Sequence, residues 1–314
     1  MSIDADEFRQ LALEFKSKPN GCVFGMKVTL WVLLTIWGVE AALSSSWPIA
    51  VAGTLLTGLM FAHGVELQHQ ALHNTGFQSR LLNEIAGIAL GAPMLVSFAL
   101  YQVSHLRHHR HLGTPKNHEF FEYGDQYGRG GLSAVRHVFL RFSMIQHYWG
   151  FLAGTARALL IRRFPGETAP VSRRIRRDHL VMLGALLAVG AISHFLGDKF
   201  LLYGWLLPLL LVAAPVHALI ELPEHYRCDT DSTDSFRNSR SIRSTPFLTW
   251  FTNGNNLHVE HHLLPGLPIE RLHELHERIA PRIKYLCPTY VSFLAEVIFG
   301  RARGTFTEPT DAVA

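Results

Sequence analysis

The sequence predicts an all-α integral membrane protein with four transmembrane helices in two hairpins and a His-rich helical cap on the cytoplasmic side. A mean hydropathy of +0.14 with only 17% charged residues favours partial burial in lipid. Four apolar stretches are long enough to cross a bilayer, and many of the 19 histidines cluster just beyond them. We expect one membrane domain over residues 1–303 and a disordered tail over residues 304–314.

Each apolar stretch approaches the roughly 20 residues that a helix needs to cross a bilayer. The stretches are residues 23–43, 47–67, 180–196 and 200–220. Connectors of a few residues join the first to the second and the third to the fourth, so each pair must cross and return directly. All but one of the 29 Lys and Arg residues then lie opposite these connectors, the exception being Lys199. The positive-inside rule therefore predicts a protein of the cytoplasmic membrane with both termini on the cytoplasmic side.

A fifth apolar run, residues 85–100, is short for a crossing and contains Gly91 and Pro93. We expect it to dip into the membrane without crossing, because a crossing would separate histidine clusters that have to share a site. Residues 132–164 mix apolar side chains with five arginines. That pattern fits either an amphipathic helix at the membrane surface or a helix packed on the protein itself.

The cysteines and the net charge exclude several classes of protein. Cys22, Cys228 and Cys287 lie far apart and form no C-x-x-C pair, so neither a disulfide framework nor a protein-bound iron–sulfur centre is expected. Electrons for any redox reaction must therefore come from an external carrier. The formal charge of +4 is too small to indicate nucleic-acid binding.

Three histidine clusters have helical spacing. His69 and His73 stand at i and i+4, on one face of the helix that leaves the second apolar stretch. Two copies of H-x-x-H-H follow, in which the first and last histidines share a helix face and the middle one is offset by about 100°. The copies consist of His105, His108 and His109, and of His258, His261 and His262. Such an offset allows one box to serve two metal ions.

A fourth element, His225, follows the last apolar stretch. A single histidine is more often a structural residue than a ligand, but the repetition of the boxes favours metal binding. Nine imidazoles exceed the capacity of one ion and suit two ions with five or six ligands each, while imidazole alone leaves the choice among iron, zinc and copper open. The ten remaining histidines are expected to be structural, with His111 and His217 the first exceptions to test because they adjoin clusters.

Carboxylates are expected to hold the rings of the ligand histidines. Candidates within a turn of a ligand are Glu66, Glu221, Glu224 and Glu260. Glu221 leaves the bilayer as a nearly buried carboxylate, which needs a cation or hydrogen-bond donors nearby. We expect Glu221 to bind metal directly or through water, or to accept a hydrogen bond from His225, and pairing with Arg227 is the alternative. Pro223, between Glu221 and His225, predicts a kink or the end of the helix.

With these clusters the sequence resembles the membrane fatty acid desaturase superfamily. The resemblance rests on HQALH at residues 69–73, HLRHH at residues 105–109 and HVEHHLLPGLP at residues 258–268. It implies two iron ions, O2-dependent removal of hydrogen from an acyl chain, and an external electron donor of the ferredoxin, rubredoxin or cytochrome b5 type. Position by position, the eight box histidines and His225 match the metal ligands of the family. Glu221 is a departure, because acyl-CoA desaturases carry Asn at this position.

The resemblance favours a fatty acid desaturase of the acyl-lipid type, acting on a lipid or acyl substrate. HHRHLG at residues 108–113 also resembles carotenoid ketolases, so hydroxylation or ketolation of a carotenoid or another hydrophobic molecule stays open. A metal transporter or a His-rich membrane receptor is the remote alternative. Transport requires polar ligands along a path through the membrane, whereas the clusters lie beyond the ends of the apolar stretches.

Overall fold

A computed structural model of the chain describes residues 3–121, 131–195, 197 and 199–299. Within these residues the chain divides into two compact units. The apolar unit comprises Gly21–Val103 and Leu140–Ala218, and the polar unit comprises Met1–Asn20, Ser104–Phe139 and Leu219–Ala314, as far as they are described. The single domain over residues 1–303 stays a prediction. The predicted disordered tail, residues 304–314, lies outside the described residues.

The described residues are mostly helical, in agreement with the predicted all-α class. The helices are α1 (Ala5–Glu14), α2 (Gly21–Ala42), α3 (Trp47–Leu72), α4 (Arg80–Gly91), α5 (Phe98–His111), α6 (Gly131–Ser143), α7 (Ile145–Leu160), α8 (Ala169–Phe195), α9 (Ala214–His225), α10 (Ser235–Asn238), α11 (Pro246–Phe251), α12 (His258–Leu263), α13 (Leu272–Ile279) and α14 (Tyr290–Ile298). Short 3-10 turns occupy Ala92–Met94, Ile269–Arg271 and Ala280–Arg282, and π-helical turns occupy Phe200–Leu206 and Pro208–Ala213. Two strands, β1 (Arg240–Ile242) and β2 (Tyr285–Cys287), pair in parallel.

Among the described residues, four helices are long and apolar enough to cross a membrane, as the hydropathy of the sequence predicts. They are Gly21–Ala42, Trp47–Leu72, Ala169–Phe195 and Phe200–His225. Three of them extend at least five residues beyond the predicted apolar stretch, because a helix continues through polar residues as long as its backbone hydrogen bonds are satisfied. The extension of α3 brings His69 into the helix, and the extension of α8 adds an arginine-rich segment before its apolar part.

The first two candidate spans pack closely through small residues. A Cβ atom added to Gly53 of α3 would lie 2.2 Å from the backbone nitrogen of Ala42 and 2.7 Å from the carbonyl oxygen of Gly38. The indole of Trp31 on α2 donates a hydrogen bond of 2.6 Å to the carbonyl oxygen of Met60 on α3. Small residues at such a contact allow two membrane helices to approach each other closely.

The apolar run of residues 85–100 contains a sharp bend. The helical segments Arg80–Met94 and Phe98–His111 form an angle of 99°, and Leu95 between them has a positive φ of 61°. The Gln68 side chain occupies the bend, where it donates hydrogen bonds to the carbonyl oxygens of Gly87 and Val96. A bend of this kind suits a re-entrant segment or a broken span, so the expected dip stays a prediction.

The start of α5 is fixed by a buried carboxylate of α8. Oδ2 of Asp178 accepts hydrogen bonds from the backbone nitrogen of Ala99 at 2.7 Å and from the hydroxyl of Ser97 at 3.1 Å. On the same part of α8, Arg174 donates to Gln102, whose amide in turn donates to the carbonyl oxygen of Leu72 at the end of α3. Helices α3 and α5 carry the first two histidine boxes, and polar contacts within the apolar unit thus hold both.

The segment predicted as one amphipathic helix over residues 132–164 forms two helices, α6 and α7. They meet at Met144, which adopts a left-handed conformation with φ of 49°. On α7, Phe151 and Ala158 are buried, whereas Trp149 and Leu152 are exposed by 73% and 58%. One face of α7 therefore packs on the protein while the other presents apolar side chains outward, and contact of that outer face with a membrane surface stays a prediction.

The polar unit is built around an apolar cluster shared by α1, α12 and α13. Leu11 of α1, Val259 of α12 and Leu275 of α13 are all buried in it. The register of the strands aligns Arg240 with Tyr285. This framework holds α12, the helix of the third histidine box, between a small sheet and two helices.

Helix α9 does not end at Pro223 but continues through it to His225, so the predicted end of the helix is wrong and the predicted kink stays a prediction. The carbonyl groups at the end of the helix find a donor outside it. The guanidinium of Arg240 donates hydrogen bonds to the carbonyl oxygens of Pro223 and Tyr226 at 2.8 and 2.7 Å. Glu221 and His225 are therefore one turn apart on the same helix face.

Candidate metal centre

Four histidine side chains of the polar unit bring their Nε2 atoms together in a closed ring. Nε2 of His108 lies 3.1 Å from Nε2 of His225 and 3.3 Å from that of His262. Nε2 of His258 lies 3.1 Å from the same two partners. The ring thus joins the ends of three helices: α5 supplies His108, α9 supplies His225, and α12 supplies the other two.

The far nitrogen of three of these rings contacts a hydrogen-bond acceptor. Nδ1 of His225 lies 2.9 Å from the carbonyl oxygen of Asn238. Nδ1 of His108 lies 2.8 Å from a carboxylate oxygen of Glu119, and Nδ1 of His258 lies 3.1 Å from Oδ1 of Asn255. Because carbonyl and carboxylate oxygens only accept, each Nδ1 carries the proton, and a neutral ring then has its lone pair on Nε2.

Lone pairs on adjacent Nε2 atoms cannot form hydrogen bonds with one another, so their convergence favours a cation between them. For metal–nitrogen bonds of about 2.1 Å, two ligands lie about 3.0 Å apart at a right angle and about 3.4 Å apart in a tetrahedron. The spacings of the ring, 3.1 to 3.3 Å, lie within that interval. The residues present therefore fit a metal ion bound by imidazoles.

A second group in the polar unit consists of His105, His109 and His261. Nε2 of His109 lies 2.9 Å from Nε2 of His105 and 2.9 Å from Nε2 of His261. The first and last histidines of the second box thus meet the middle histidine of the third box. In the ring described above, the first and last histidines of the third box meet the middle histidine of the second, His108. In each box the middle histidine thus belongs to a different group from the first and last, as the H-x-x-H-H spacing predicts.

His69 and His73 belong to the apolar unit. Their ring centroids lie 5.1 Å apart at the end of α3, where His69 is in the last turn and His73 is the residue that follows the helix. His69 is buried and lies beside Tyr101, with 6.3 Å between the ring centroids. The two rings are therefore neighbours, as their spacing of i and i+4 predicts.

Glu119 contacts both histidine groups of the polar unit and was not predicted from the sequence. One of its oxygens contacts Nδ1 of His108, and the other lies 3.5 Å from Nδ1 of His105, so a single carboxylate reaches one member of each histidine group. Burial opposes ionisation of Glu119, but the neighbouring His108 and His105 outweigh it and hold the pKa of this carboxyl well below its ordinary value. Its position in a polar segment directly after the second box is the feature of the sequence that could have indicated a role at the site.

Among the acidic residues considered from the sequence, Glu224 lies at the site. Its Oε2 is 3.4 Å from Nε2 of His258, and its Oε1 accepts a hydrogen bond of 2.6 Å from the amide of Asn255. That second contact orients Asn255, because the amide nitrogen faces Glu224 and the amide oxygen faces His258. Among the described groups of three or more potential metal ligands, Glu224 is a member and Glu221 is not.

The acceptor role considered for Glu221 beside His225 is taken by the carbonyl oxygen of Asn238. Binding of metal by Glu221, directly or through water, stays a prediction. Glu260 of the third box turns away from the ligand rings, and its two oxygens contact Nδ1 of His276 and the hydroxyl of Ser241, each at 2.5 Å. Glu66 lies 3.5 Å from Nδ1 of His217. His217 is one of the two histidines named above as first exceptions to test, and its partner in the structure is this carboxylate.

The protonation of the group follows from its burial. Burial, reinforced by the neighbouring imidazoles, holds the pKa of His258 and of His262 well below the ordinary value for histidine. Burial also lowers the pKa of His105, although Glu119 acts in the opposite direction. The rings are therefore neutral near pH 7, which is the form that binds metal.

The end of α5 is shaped by a glycine. Gly113 has a positive φ of 78°, and a Cβ atom added to it would lie 1.9 Å from the carbonyl oxygen of Ser232. A left-handed glycine just beyond a helix is a common way to end it. Here it turns the chain directly after the second box and allows the segment around Ser232 to approach.

The sequence matches a known family over most of its length. Residues 45–294 match the family model of fatty acid desaturases, and the chain belongs to this family. It is 26% identical over 262 residues to the acyl-lipid (9-3)-desaturase of Physcomitrium patens, an alignment that covers 76% of this chain and 48% of that protein. It is 25% identical over 263 residues to the dihydrorhizobitoxine desaturase of Bradyrhizobium elkanii, covering 81% of this chain and 73% of that protein. The chain thus spans about half the length of the first relative and about three quarters of the second.

Proposed function

We propose that the protein is a membrane-bound di-iron oxygenase that introduces a double bond into the acyl chain of a lipid, using O2 and two electrons from an external carrier. Membership of the fatty acid desaturase family and the names of its relatives support this proposal. The observation that carries it is the ring of four Nε2 atoms whose lone pairs converge.

We assign nine histidines as iron ligands. They are His69, His73, His105, His108, His109, His225, His258, His261 and His262. The two groups of the polar unit support two metal positions, and the assignment of His69 and His73 depends on their spacing in the first box. The donor set is rich in imidazole and poor in thiolate, which suits iron and disfavours a structural zinc site of the cysteine type.

The residues around the ligands hold protons away from the metal. Asn238, Asn255 and Glu119 each keep the proton of a ligand ring on Nδ1, which directs the Nε2 lone pair inward. Partners of this kind fix ring orientation and raise the basicity of the ligand. Burial of His108, His258 and His261 excludes water from the same space. Bound iron supplies the O2-dependent oxidation of an unactivated C–H bond, and the protein supplies the position of the substrate.

We further propose that the four candidate spans form two hairpins and place the histidine boxes on the cytoplasmic side of the cytoplasmic membrane. The short connectors and the distribution of Lys and Arg support this topology. A carrier of the ferredoxin, rubredoxin or cytochrome b5 type would then deliver electrons from the cytoplasm.

The decisive experiment supplies isotopically labelled lipids to cells that express the protein and follows the products by mass spectrometry. A desaturase yields a product that has lost two hydrogen atoms, and the His262→Ala variant should not form it. Gain of an oxygen atom would instead identify the hydroxylase or ketolase reaction. Uptake of metal ions into proteoliposomes, without any lipid product, would contradict the enzyme and support a transporter.

A further inference from the structure

The first turns of α8 present a cationic pocket at the start of a candidate span. The pocket has a volume of about 520 Å³ and is lined by Arg173, Arg176, Arg177, Leu180 and Val181. Their spacing places all five on one face of α8. Along this face, the lining changes from guanidinium groups at the start of α8 to aliphatic side chains nearer its apolar part. The pocket therefore has a charged part and an apolar part, in the order that a membrane surface has them.

The acidic residues nearby compensate only part of the positive charge. Glu84 pairs with Arg174 and Arg177, and Asp178 also pairs with Arg177. Two carboxylates therefore face the four arginines at the start of α8. Among the described residues, no carboxylate lies within ion-pair distance of Arg173 or Arg176, so this part of the pocket keeps a net positive charge.

The guanidinium of Arg176 is also held in place. Its Nε donates a hydrogen bond of 2.8 Å to the carbonyl oxygen of Ala158 on α7, which leaves the two terminal nitrogens to other acceptors. Arg173, one turn earlier, is exposed. A guanidinium fixed through Nε beside a second arginine matches the geometry of a phosphate group, which accepts several hydrogen bonds at once.

We propose that this pocket binds an anionic phospholipid. The phosphate contacts Arg173 and Arg176, and the glycerol backbone and first methylene groups lie on Leu180 and Val181. Basic pockets beside transmembrane helices bind lipid headgroups of this kind. A free phosphate ion would use the arginines alone, whereas the aliphatic side chains belong to the same pocket and favour the lipid. This proposal depends on α8 being a span and not on the metal centre.

The proposal is tested by titrating short-chain phosphatidylglycerol into the full-length protein in a zwitterionic detergent and measuring the rise in melting temperature. The double variant Arg173→Gln/Arg176→Gln should bind phosphatidylglycerol about 30-fold more weakly, from the usual contribution of each arginine near an anionic surface. Arg173→Lys/Arg176→Lys keeps the charge and should retain most of the binding. Because Arg176 also holds α7, the Arg173→Gln single variant provides an independent measurement and should weaken binding about fivefold.

A matched control removes the same charge outside the pocket. Arg162→Gln/Arg163→Gln changes two exposed arginines between α7 and α8 and should leave the affinity unchanged. Equal weakening in this control, or equal binding of phosphatidylcholine by the parent protein, would overturn the proposal. Inorganic phosphate and glycerophosphoglycerol, the headgroup without acyl chains, form the last arm. Stabilisation by either as strong as that by phosphatidylglycerol would identify a phosphate site and refute the lipid.

Discussion

Glu119 and His108 are joined by a contact of 2.8 Å between a carboxylate oxygen and Nδ1. The carboxylate carries the charge that stabilises the Nδ1 proton, and its other oxygen reaches toward the second histidine group. We expect Glu119→Gln to lower the affinity for iron by about 10- to 100-fold, as losses of such partners do in other metal sites. Iron retained after dialysis against graded chelator measures the effect. Glu277→Gln, which changes an exposed carboxylate on α13, is the control, and equal retention in both variants would contradict the role given to Glu119.

The ring of Nε2 atoms predicts that its members are indispensable. His262→Ala removes one corner and should abolish turnover and lower iron content below two ions per chain, while the protein stays folded in the membrane. His194→Ala changes a histidine at the far end of α8, outside both groups, and should retain activity. Activity, iron content and the elution profile in detergent are measured together. If His194→Ala proved as damaging as His262→Ala, the division between ligand and structural histidines would be wrong.

Glu221 and Glu224 stand three residues apart on α9, and their substitution by Gln should have unequal effects. From the sequence we expect the larger loss for Glu221→Gln, because a nearly buried carboxylate at the end of the last apolar stretch needs a cation or hydrogen-bond donors nearby. The geometry predicts the larger loss for Glu224→Gln, since Glu224 orients Asn255 and lies 3.4 Å from Nε2 of His258. We expect the order that the geometry gives, with about a tenfold loss of iron affinity for Glu224→Gln. A greater loss in Glu221→Gln would restore Glu221 as a ligand.

The proposed topology predicts the side of the membrane on which inserted tags appear. Tags at the N-terminus, near Gly130 and at the C-terminus should report the cytoplasm, and tags near Ser45 or Asp198 should report the opposite side. Accessibility of the tags in intact and permeabilised cells makes the measurement. A tag near Gly130 that reports the outside would mean that residues 85–100 cross the membrane.

His147 predicts a dependence of stability on pH. Burial, together with the nearby His217 and His179, lowers the pKa of His147 to about 4, although the carbonyl oxygen of Met94 accepts a hydrogen bond from its ring and opposes the shift. The unfolded chain binds a proton below pH about 6.5 and the folded chain does not, so stability falls between pH 6.5 and about 4, by at most about 1.4 kcal/mol per pH unit.

The melting temperature of the parent protein and of His147→Asn, recorded across this pH range, tests that dependence. The variant lacks the titrating ring and should show a shallower decline on acidification. His273→Asn removes an exposed ring on α13 and should leave the slope of the parent unchanged. Identical slopes for His147→Asn and the parent would show that the pKa of His147 is the same in the folded and the unfolded chain.

Hydropathy and helical spacing account for much of what could be anticipated. The apolar stretches identify the four candidate spans, and the offset within H-x-x-H-H anticipates that His108 separates from His105 and His109. Both features are periodic properties of one helix at a time, and they can be seen without knowledge of the fold. Contacts between segments distant in the chain, such as His225 with Asn238 or His276 with Glu260, leave no such periodic signal.

Pro223 and Glu119 show why local rules fail at the site. The rule that proline ends a helix considers only that helix, whereas α9 continues to His225, and Arg240 from another element binds the carbonyl oxygens of Pro223 and Tyr226 at its end. Glu119 lies outside any recognisable box, and its importance depends on the return of the chain after α5. In both cases the partner comes from a part of the chain whose position is set by tertiary packing.

Gly113 makes the turn after the second box intolerant of substitution. Any replacement would place a carbon atom against the carbonyl oxygen of Ser232 and would have to adopt a backbone conformation that other residues rarely accept. The last turn of α5, which contributes His108 to one histidine group and His109 to the other, would shift as a whole. A random mutagenesis screen should therefore recover Gly113 together with the histidines, although glycine has no side chain that could bind metal, and insertions in homologues should avoid this position.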